Sequence, residues 1–429
     1  MPKVTVIIPS YNHAKFIAEA IQSVLDQTYQ DFDILICDDA SIDNSVEIIK
    51  QFNDPRITLI VNENNMGACY GHNLMIRQSH GEYIALINSD DVWLPNKLAI
   101  QVEFLETHPQ YAAVFSDVGF IKEDGMEFLD YRCYDWFSSN PKKTRYEWLR
   151  SFFDLENHLA HPTVLIKKAV YEKIGLYNPL LSLTPDFEMW VRVLPYYDIY
   201  VLPEKLARFR ILEGNKNASA PTICNASRFA FEAQFVLDRF LNIPDITLLS
   251  NIFPDFCNLI KPGSKAEDIP FIIGIAATKN SNTTVNNWGA RVLFSCFYAN
   301  PELAIHYKET YGISQNDFSL LINTIDINEI KLHNERIELV QKQLDTMLAS
   351  KDQYIHDLEQ SIRNLETKLA DTNQKLQSKE QELQNQNIII QCLSTELTLM
   401  INSTSWKATS PLRYAGALLR KIKYRLTDA

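Results

Sequence analysis

From Lys3 to about Arg210, short β-branched and apolar runs alternate with stretches whose apolar positions recur every three or four residues. That alternation predicts an α/β domain, a mostly parallel sheet flanked by helices. Val4 to Ile8, Ile34 to Cys37, Ile57 to Val61, Tyr83 to Ile87 and Ala112 to Phe115 read as strands, with the continuous apolar character of strands covered on both faces. Between the first two, Phe16, Ile17, Ala20, Ile21, Val24 and Leu25 share one helical face, so Ala14 to Gln27 reads as a helix. Ser45 to Phe52 reads as another, behind a turn of Asp, Ser and Asn residues suited to capping it. Ligands of such sheets bind beyond the carboxyl ends of the strands, which directs attention to the loops after the first, second and fourth.

Residues 216–330 show helical spacing at Phe229 to Phe240 and Asn287 to Tyr298 but no chemical motif, and read as a helical packing extension. From Ile337 a seven-residue repeat takes over. Leu348, Ile355, Ile362, Leu369, Leu376, Leu383, Ile390 and Leu397 fall seven apart, after Gln341 at the start of the series. The second register holds Ile337, Leu344, Leu358, Leu365, Leu393 and Met400, but also Lys351, Thr372, Lys379 and Gln386. A stripe this narrow and this long predicts a coiled coil, about 95 Å from 337 to 400 at roughly 1.5 Å per residue. Its partner is a second copy or another protein. Beyond it, Leu412, Ala415, Leu419, Ile422 and Leu426 form one stripe beside Arg413, Arg420, Lys421, Lys423 and Arg425, the pattern of a basic helix lying on a membrane surface. The expected domains are 1–215, 216–330, 331–402 and 403–429.

Composition narrows the function. Lys and Arg number 41 against 53 Asp and Glu, and the net charge of −12 opposes nucleic-acid binding. No apolar run reaches the roughly 18–20 residues of a membrane span, and no signal-type segment follows Met1. The 7 cysteines are scattered without a zinc spacing, which fits a reducing cytoplasm. A peripheral position on the inner face of the cell membrane is therefore expected. The first strand is followed by no G-x-G-x-x-G and no P-loop, which sets aside dinucleotide and P-loop enzymes.

Three polar loops carry the candidate chemistry: Pro9-Ser10-Tyr11-Asn12 after the first strand, Asp38-Asp39 to Ser45 after the second, and Asn88-Ser89-Asp90-Asp91 after the fourth. Paired carboxylates at a strand end suit Mg²⁺ or Mn²⁺, which takes one or two protein carboxylates and completes its shell with water and phosphate. These loops, with Asn65-Met66-Gly67, Asn73 and Gly81 to Asp91 between them, stand in the order and spacing of the inverting family 2 glycosyltransferases, and residues 1–215 resemble that family. The resemblance implies a glycosyltransferase A-type fold, a nucleotide-diphosphate sugar donor and a divalent metal. It also implies that Pro9, Tyr11, Asn12, Asp39, Gly67, His72, Asn73, Asn88 and Asp90 bind the donor. In the same frame Asp39 accepts the imide proton of uracil or thymine, and Asp91 holds the metal.

The run Leu183 to Arg192 resembles the family's acceptor-side helix start, which makes Asp186 the general base and places Glu188 and Trp190 against the acceptor. The tail resembles those of bacterial surface-polysaccharide enzymes, which implies a glycan or lipid-linked saccharide acceptor. Four positions depart from the family pattern: Asn88 for Asp, His72 for Arg, Pro185 for Glu and Leu212 for a His near the metal. A coiled-coil scaffold with an inactive sugar-nucleotide domain is the alternative, opposed by the intact Asp39, Asp91 and Asp186.

Overall fold

The computed structural model of the chain describes every residue except 129–136, 138–142, 215, 218, 221, 300, 403–415, 422 and 424–429, and only the backbone at 299, 301, 322–350, 352–354, 356, 357, 401 and 402. The chain divides into two compact units, 1–330 and 331–429.

The first unit is built on a sheet of eight strands in the order β3-β2-β1-β4-β7-β6-β8-β5. They are β1 (Val4–Ser10), β2 (Phe32–Asp38), β3 (Ile57–Val61), β4 (Tyr83–Leu86), β5 (Val92–Trp93), β6 (Tyr111–Ile121), β7 (Leu165–Lys167) and β8 (Asp198–Arg210). β1 pairs in parallel with β2 and β4, β2 with β3, and β6 with β8, while β7 runs antiparallel between β4 and β6. The sheet is thus mixed but mostly parallel. All five expected strands lie within β1, β2, β3, β4 with its continuation, and β6.

Both faces are covered, and the alternation along each strand decides which residue serves which face. Val4, Val6 and Ile8 with Ile34 and Ile36 pack against α1 (Ile17–Leu25), α2 (Ser45–Ile49) and α4 (Lys97–Thr107). Ile7, Leu35, Leu86 and Phe115 face the other core, which takes in α3 (Ala68–Gln78), α5 (Arg145–Phe153), α6 (Lys168–Ile174) and α7 (Pro185–Val193). Residues of the extension complete that second core: Val236, Leu237 and Phe240 from and just after α8 (Ile223–Asp238), and Trp288 from α11 (Thr283–Ala299). The Phe153 ring sits edge-on to both Phe240 and Trp288. α9 (Ile246–Ile252), α10 (Ile269–Ala277) and α12 (Pro301–Tyr311) finish the extension.

A single helix, α13, runs from Gln315 to Asn402 and carries the heptad register. Its apolar heptad positions from Ile355 to Ile390 stand in water, from Leu358 at 45% to Leu365 at 66% exposed, where a buried helix would show almost none, while Leu393, Leu397 and Met400 are partly buried. Within the basic tail, residues 416–421 are helical. Leu412, Arg413, Ala415, Ile422, Arg425 and Leu426, expected to build its stripe and charge, lie outside the described residues. Among the described residues no helix is long and apolar enough to cross a membrane.

Candidate active site

Four loops at the carboxyl edge of β1, β2, β3 and β4 are tied to one another by polar contacts. Ser10 Oγ donates to Asp38 Oδ2 (2.9 Å), and Ser41 donates to the same carboxylate through both N–H (2.9 Å) and Oγ (2.8 Å). Asn12, in the left-handed region at φ 53°, accepts the Ile42 N–H on Oδ1 (2.9 Å). Its own N–H meets Ser41 Oγ. Asp39 takes three donors: Asn62 Nδ2 and the Met66 and Gly67 amides, each at 2.8 Å. It therefore shapes the loop leading into α3, and Gly67 sits there at φ 84°, where a side chain would be strained. Tyr11 is exposed and Pro9 partly buried, so the first loop presents an aromatic surface beside this knot.

The acid pair after β4 is asymmetric. Asp91 is buried, and its carboxylate is held on both oxygens, by the Arg210 N–H on Oδ1 and by Asn88 Nδ2 on Oδ2, each at 2.9 Å. Asp90 lies beside it, and no other described residue donates a hydrogen bond to its carboxylate. Burial pushes both carboxyls above their usual range, Asp91 further because Asp90 is adjacent. Asp91, expected to hold the metal, is turned toward Arg210 and Asn88, and Asp90 beside it is the uncommitted acid. Asn88 serves as a prop for Asp91.

Two residues that sequence reasoning passed over organise the pair. Arg210, buried at the end of β8, donates Nε to the Asp90 carbonyl (2.7 Å), NH1 to the Lys122 carbonyl (2.9 Å) and NH2 to Glu19 (2.6 Å). His13 Nδ1 lies 2.7 Å from Ser89 Oγ, joining the first loop to the fourth. The Arg208-Phe209-Arg210 run was a visible signal for the first. For His13, only its place one residue after Asn12 pointed to it.

Asp186 stands in the first turn of α7, partly accessible, with Asn157 Nδ2 donating to Oδ2 at 3.2 Å. Burial of its carboxyl raises the pKa to about 6. Among the described residues no hydrogen bond links it to the acid pair. Glu188 and Trp190 do not face an acceptor, contrary to expectation. Glu188 is fully buried between Arg192 (2.9 Å) and Arg239 (2.6 Å), and Trp190 is fully buried edge-on to Phe115.

His72 and Asn73 also lie inside. Asn73 exchanges two hydrogen bonds with the backbone of Tyr177 (2.8 and 2.9 Å), which fastens α3 to the segment before α7. His72 packs against the rings of His161 and Tyr177, and burial drives its pKa down to about 3, so it carries no charge toward a phosphate. His72, standing where the family pattern has Arg, thus supplies no cation there. Leu212, at the place of the family's His, is likewise buried.

With this geometry in view, the comparisons are specific. The family described as Glycosyl transferase family 2 matches residues 5–175. An uncharacterized glycosyltransferase of Methanocaldococcus jannaschii is 30% identical over 215 residues, 49% of this chain and 71% of that protein. The UDP-Glc:alpha-D-GlcNAc-diphosphoundecaprenol beta-1,3-glucosyltransferase WfaP of Escherichia coli is 30% identical over 194 residues, 45% of this chain and 71% of the relative. A second Escherichia coli enzyme of the same described activity, WfgD, is 41% identical over 102 residues, 24% of this chain and 40% of its own. The chain is a glycosyltransferase and belongs to glycosyl transferase family 2.

Proposed function

We propose that the chain moves a sugar from a UDP or dTDP donor to a hydroxyl of a glycan or lipid-linked saccharide, with inversion, in the synthesis of a bacterial surface polysaccharide. The observation that carries the reading is the uncommitted Asp90 carboxylate at the strand edge where the four loops meet, with a second, separately held acid, Asp186, at the start of α7. A uracil or thymine donor fits Asp39, whose Oδ2 takes, among the described residues, the Gly67 amide alone and keeps room to accept an imide N–H. Two relatives named for UDP-glucose and a diphosphoundecaprenol acceptor support the donor and acceptor classes.

Asp90 with Asp91 behind it is a hard oxygen set, and among the described residues no group of three His, Cys, Asp or Glu forms a closed metal cage. That fits Mg²⁺ or Mn²⁺ held by Asp90, with water and phosphate completing the shell. Such a cation supplies charge neutralisation of the departing nucleoside diphosphate. Asp186 then accepts the acceptor hydroxyl proton as its oxygen attacks C1 from the face opposite the leaving group. Arg210 and His13 hold the loop after β4 in register with the first loop, and Asp39 fixes the base-side loop through the Met66 and Gly67 amides.

A panel of UDP- and dTDP-sugars, each with and without Mn²⁺, tests the reading by thermal shift and nucleotide release. Metal-dependent stabilisation by at least one such donor is expected. Equal melting with every donor, with no release, overturns it.

The exposed stripe of α13 is proposed to seat a second copy in parallel. With Ile355, Ile362, Leu369 and Leu376 as a positions, the e positions carry Glu359, Glu366, Asn373 and Glu380 and the g positions Ser361, Lys368, Lys375 and Glu382. Parallel pairing sets Lys375 against Glu380 of the second helix, whereas antiparallel pairing faces the e-position acids with each other. The basic tail is proposed to add a weak hold on an anionic membrane surface, with roughly 1 kcal/mol per basic residue near it.

A further inference from the structure

The extension looks like padding in sequence, yet one of its residues holds the segment that leads into α7. Glu232, on α8 and outside the residues matched by the family, is buried with its carboxylate turned toward Ser182, Leu183 and Thr184. Oε1 accepts the Ser182 N–H (3.0 Å) and Ser182 Oγ (2.9 Å). Oε2 accepts the Leu183 and Thr184 N–H groups (2.9 Å each) and Thr184 Oγ1 (3.1 Å). Five donors from three consecutive residues thus converge on one side chain, immediately before Pro185 and Asp186. Thr184, the residue that begins the helix, makes no side-chain cap of its own, and Pro185 contributes no N–H.

A second grip lies just past Asp186. Arg239, at the end of α8, donates Nε to Glu188 at 2.6 Å. Asp186 is therefore bracketed by two contacts from one helix of the extension, at 182–184 and at 188. A buried carboxylate fully used by three backbone amides and two hydroxyls has no substitute of equal shape: a carboxamide at the same place turns an N–H₂ against N–H donors.

We propose that Glu232 is a positioning residue for sugar transfer, fixing residues 182–184 so that Asp186 meets the acceptor hydroxyl, and that the extension is by this route part of the catalytic apparatus. The inference rests on the reading of Asp186 as the base. A displacement of about 1 Å at a reacting group costs on the order of 100-fold in rate, so loss of the clamp appears in kcat rather than in donor affinity.

The test uses the full chain and whichever UDP- or dTDP-sugar the parent turns over fastest. Glu232→Gln is expected to lower kcat between about 10- and 100-fold with donor KM within about twofold. Amide exchange should quicken across 182–188 and stay unchanged in the loop 38–45, and Glu232→Asp should recover part of the rate. Asp268→Asn is the control for general loosening. It breaks another buried carboxylate of the extension, one that pairs with His306 and caps Lys265, and is expected to lower the melting temperature while keeping kcat. Parental kcat in Glu232→Gln, or an equal kcat loss in Asp268→Asn, overturns the proposal. Asp186→Asn separates the two readings: if it stops turnover while Glu232→Gln does not slow it, the positioning role alone fails, and if it turns over normally the base assignment fails.

Discussion

A general base must be ionised before it can take a proton, so Asp186, as the proposed base, should couple transfer to pH. Burial lifts its pKa to about 6, and kcat is expected to rise with pH through that value and level off above it. Asn157 donates to the carboxylate and favours its charged form, so Asn157→Ala raises the pKa further and moves the acidic limb of the pH profile to higher pH. Asp186→Asn itself should cost on the order of 10²–10⁴ in kcat. The acid pair makes a second contrast. Asp91→Asn places an amide between the Arg210 N–H and Asn88 and is expected to cost about 1–3 kcal/mol of stability, read by denaturant unfolding. Asp90→Asn breaks no hydrogen bond to another described residue and should leave the melting temperature near parental while Mn²⁺-dependent donor binding falls. The adjacency of the two acids is plain in the sequence, but their division of labour is not, because the group that commits Asp91 is a backbone N–H 119 residues away.

At the scale of elements, legibility follows how much of the reason for an element is local. β1, β2 and β4 are predominantly apolar because both faces are covered, and that character is visible in a short window. β7 has three residues, and β8 breaks its apolar pattern with an exposed Pro203, Glu204 and Lys205 where its register to β6 shifts. Neither announces itself. α7 shows the limit from the other side: Glu188 reads in sequence as an acceptor contact, and only Arg192 four residues on and Arg239 arriving from the end of α8 make it a buried junction. Glu188→Ala should therefore destabilise the first unit by on the order of 2 kcal/mol. That lies below the roughly 3–5 kcal/mol of a fully buried pair, since Arg239 keeps access to water. Equilibrium unfolding in urea reads it, and nucleotide binding should persist in the folded fraction, because Glu188 touches none of the loops at the strand edge.

At the scale of the whole molecule the chain combines a compact catalytic unit with a long helix whose apolar stripe is exposed from Ile355 to Ile390. The heptad was readable because its period repeats over nine turns of the pattern, whereas the extension was opaque because its contribution, Glu232 and Arg239 meeting α7, exists only across the fold. Self-association of the long helix has a sharp geometric consequence. In a parallel, in-register pair every d position faces its own copy, so Leu358→Cys and Gln386→Cys should each form a disulfide with the identical residue of the second chain. An antiparallel pair brings a position opposite itself only at its centre, so two sites about 42 Å apart at roughly 1.5 Å per residue cannot both cross-link. Lysine at Ile362, Leu369 and Leu376 together should reduce the sedimenting species to a single chain, because each substitution puts a charge into the stripe that pairing must bury. Parental sedimentation as a single chain, or cross-linking at one cysteine alone, would show that the stripe serves another partner or another orientation.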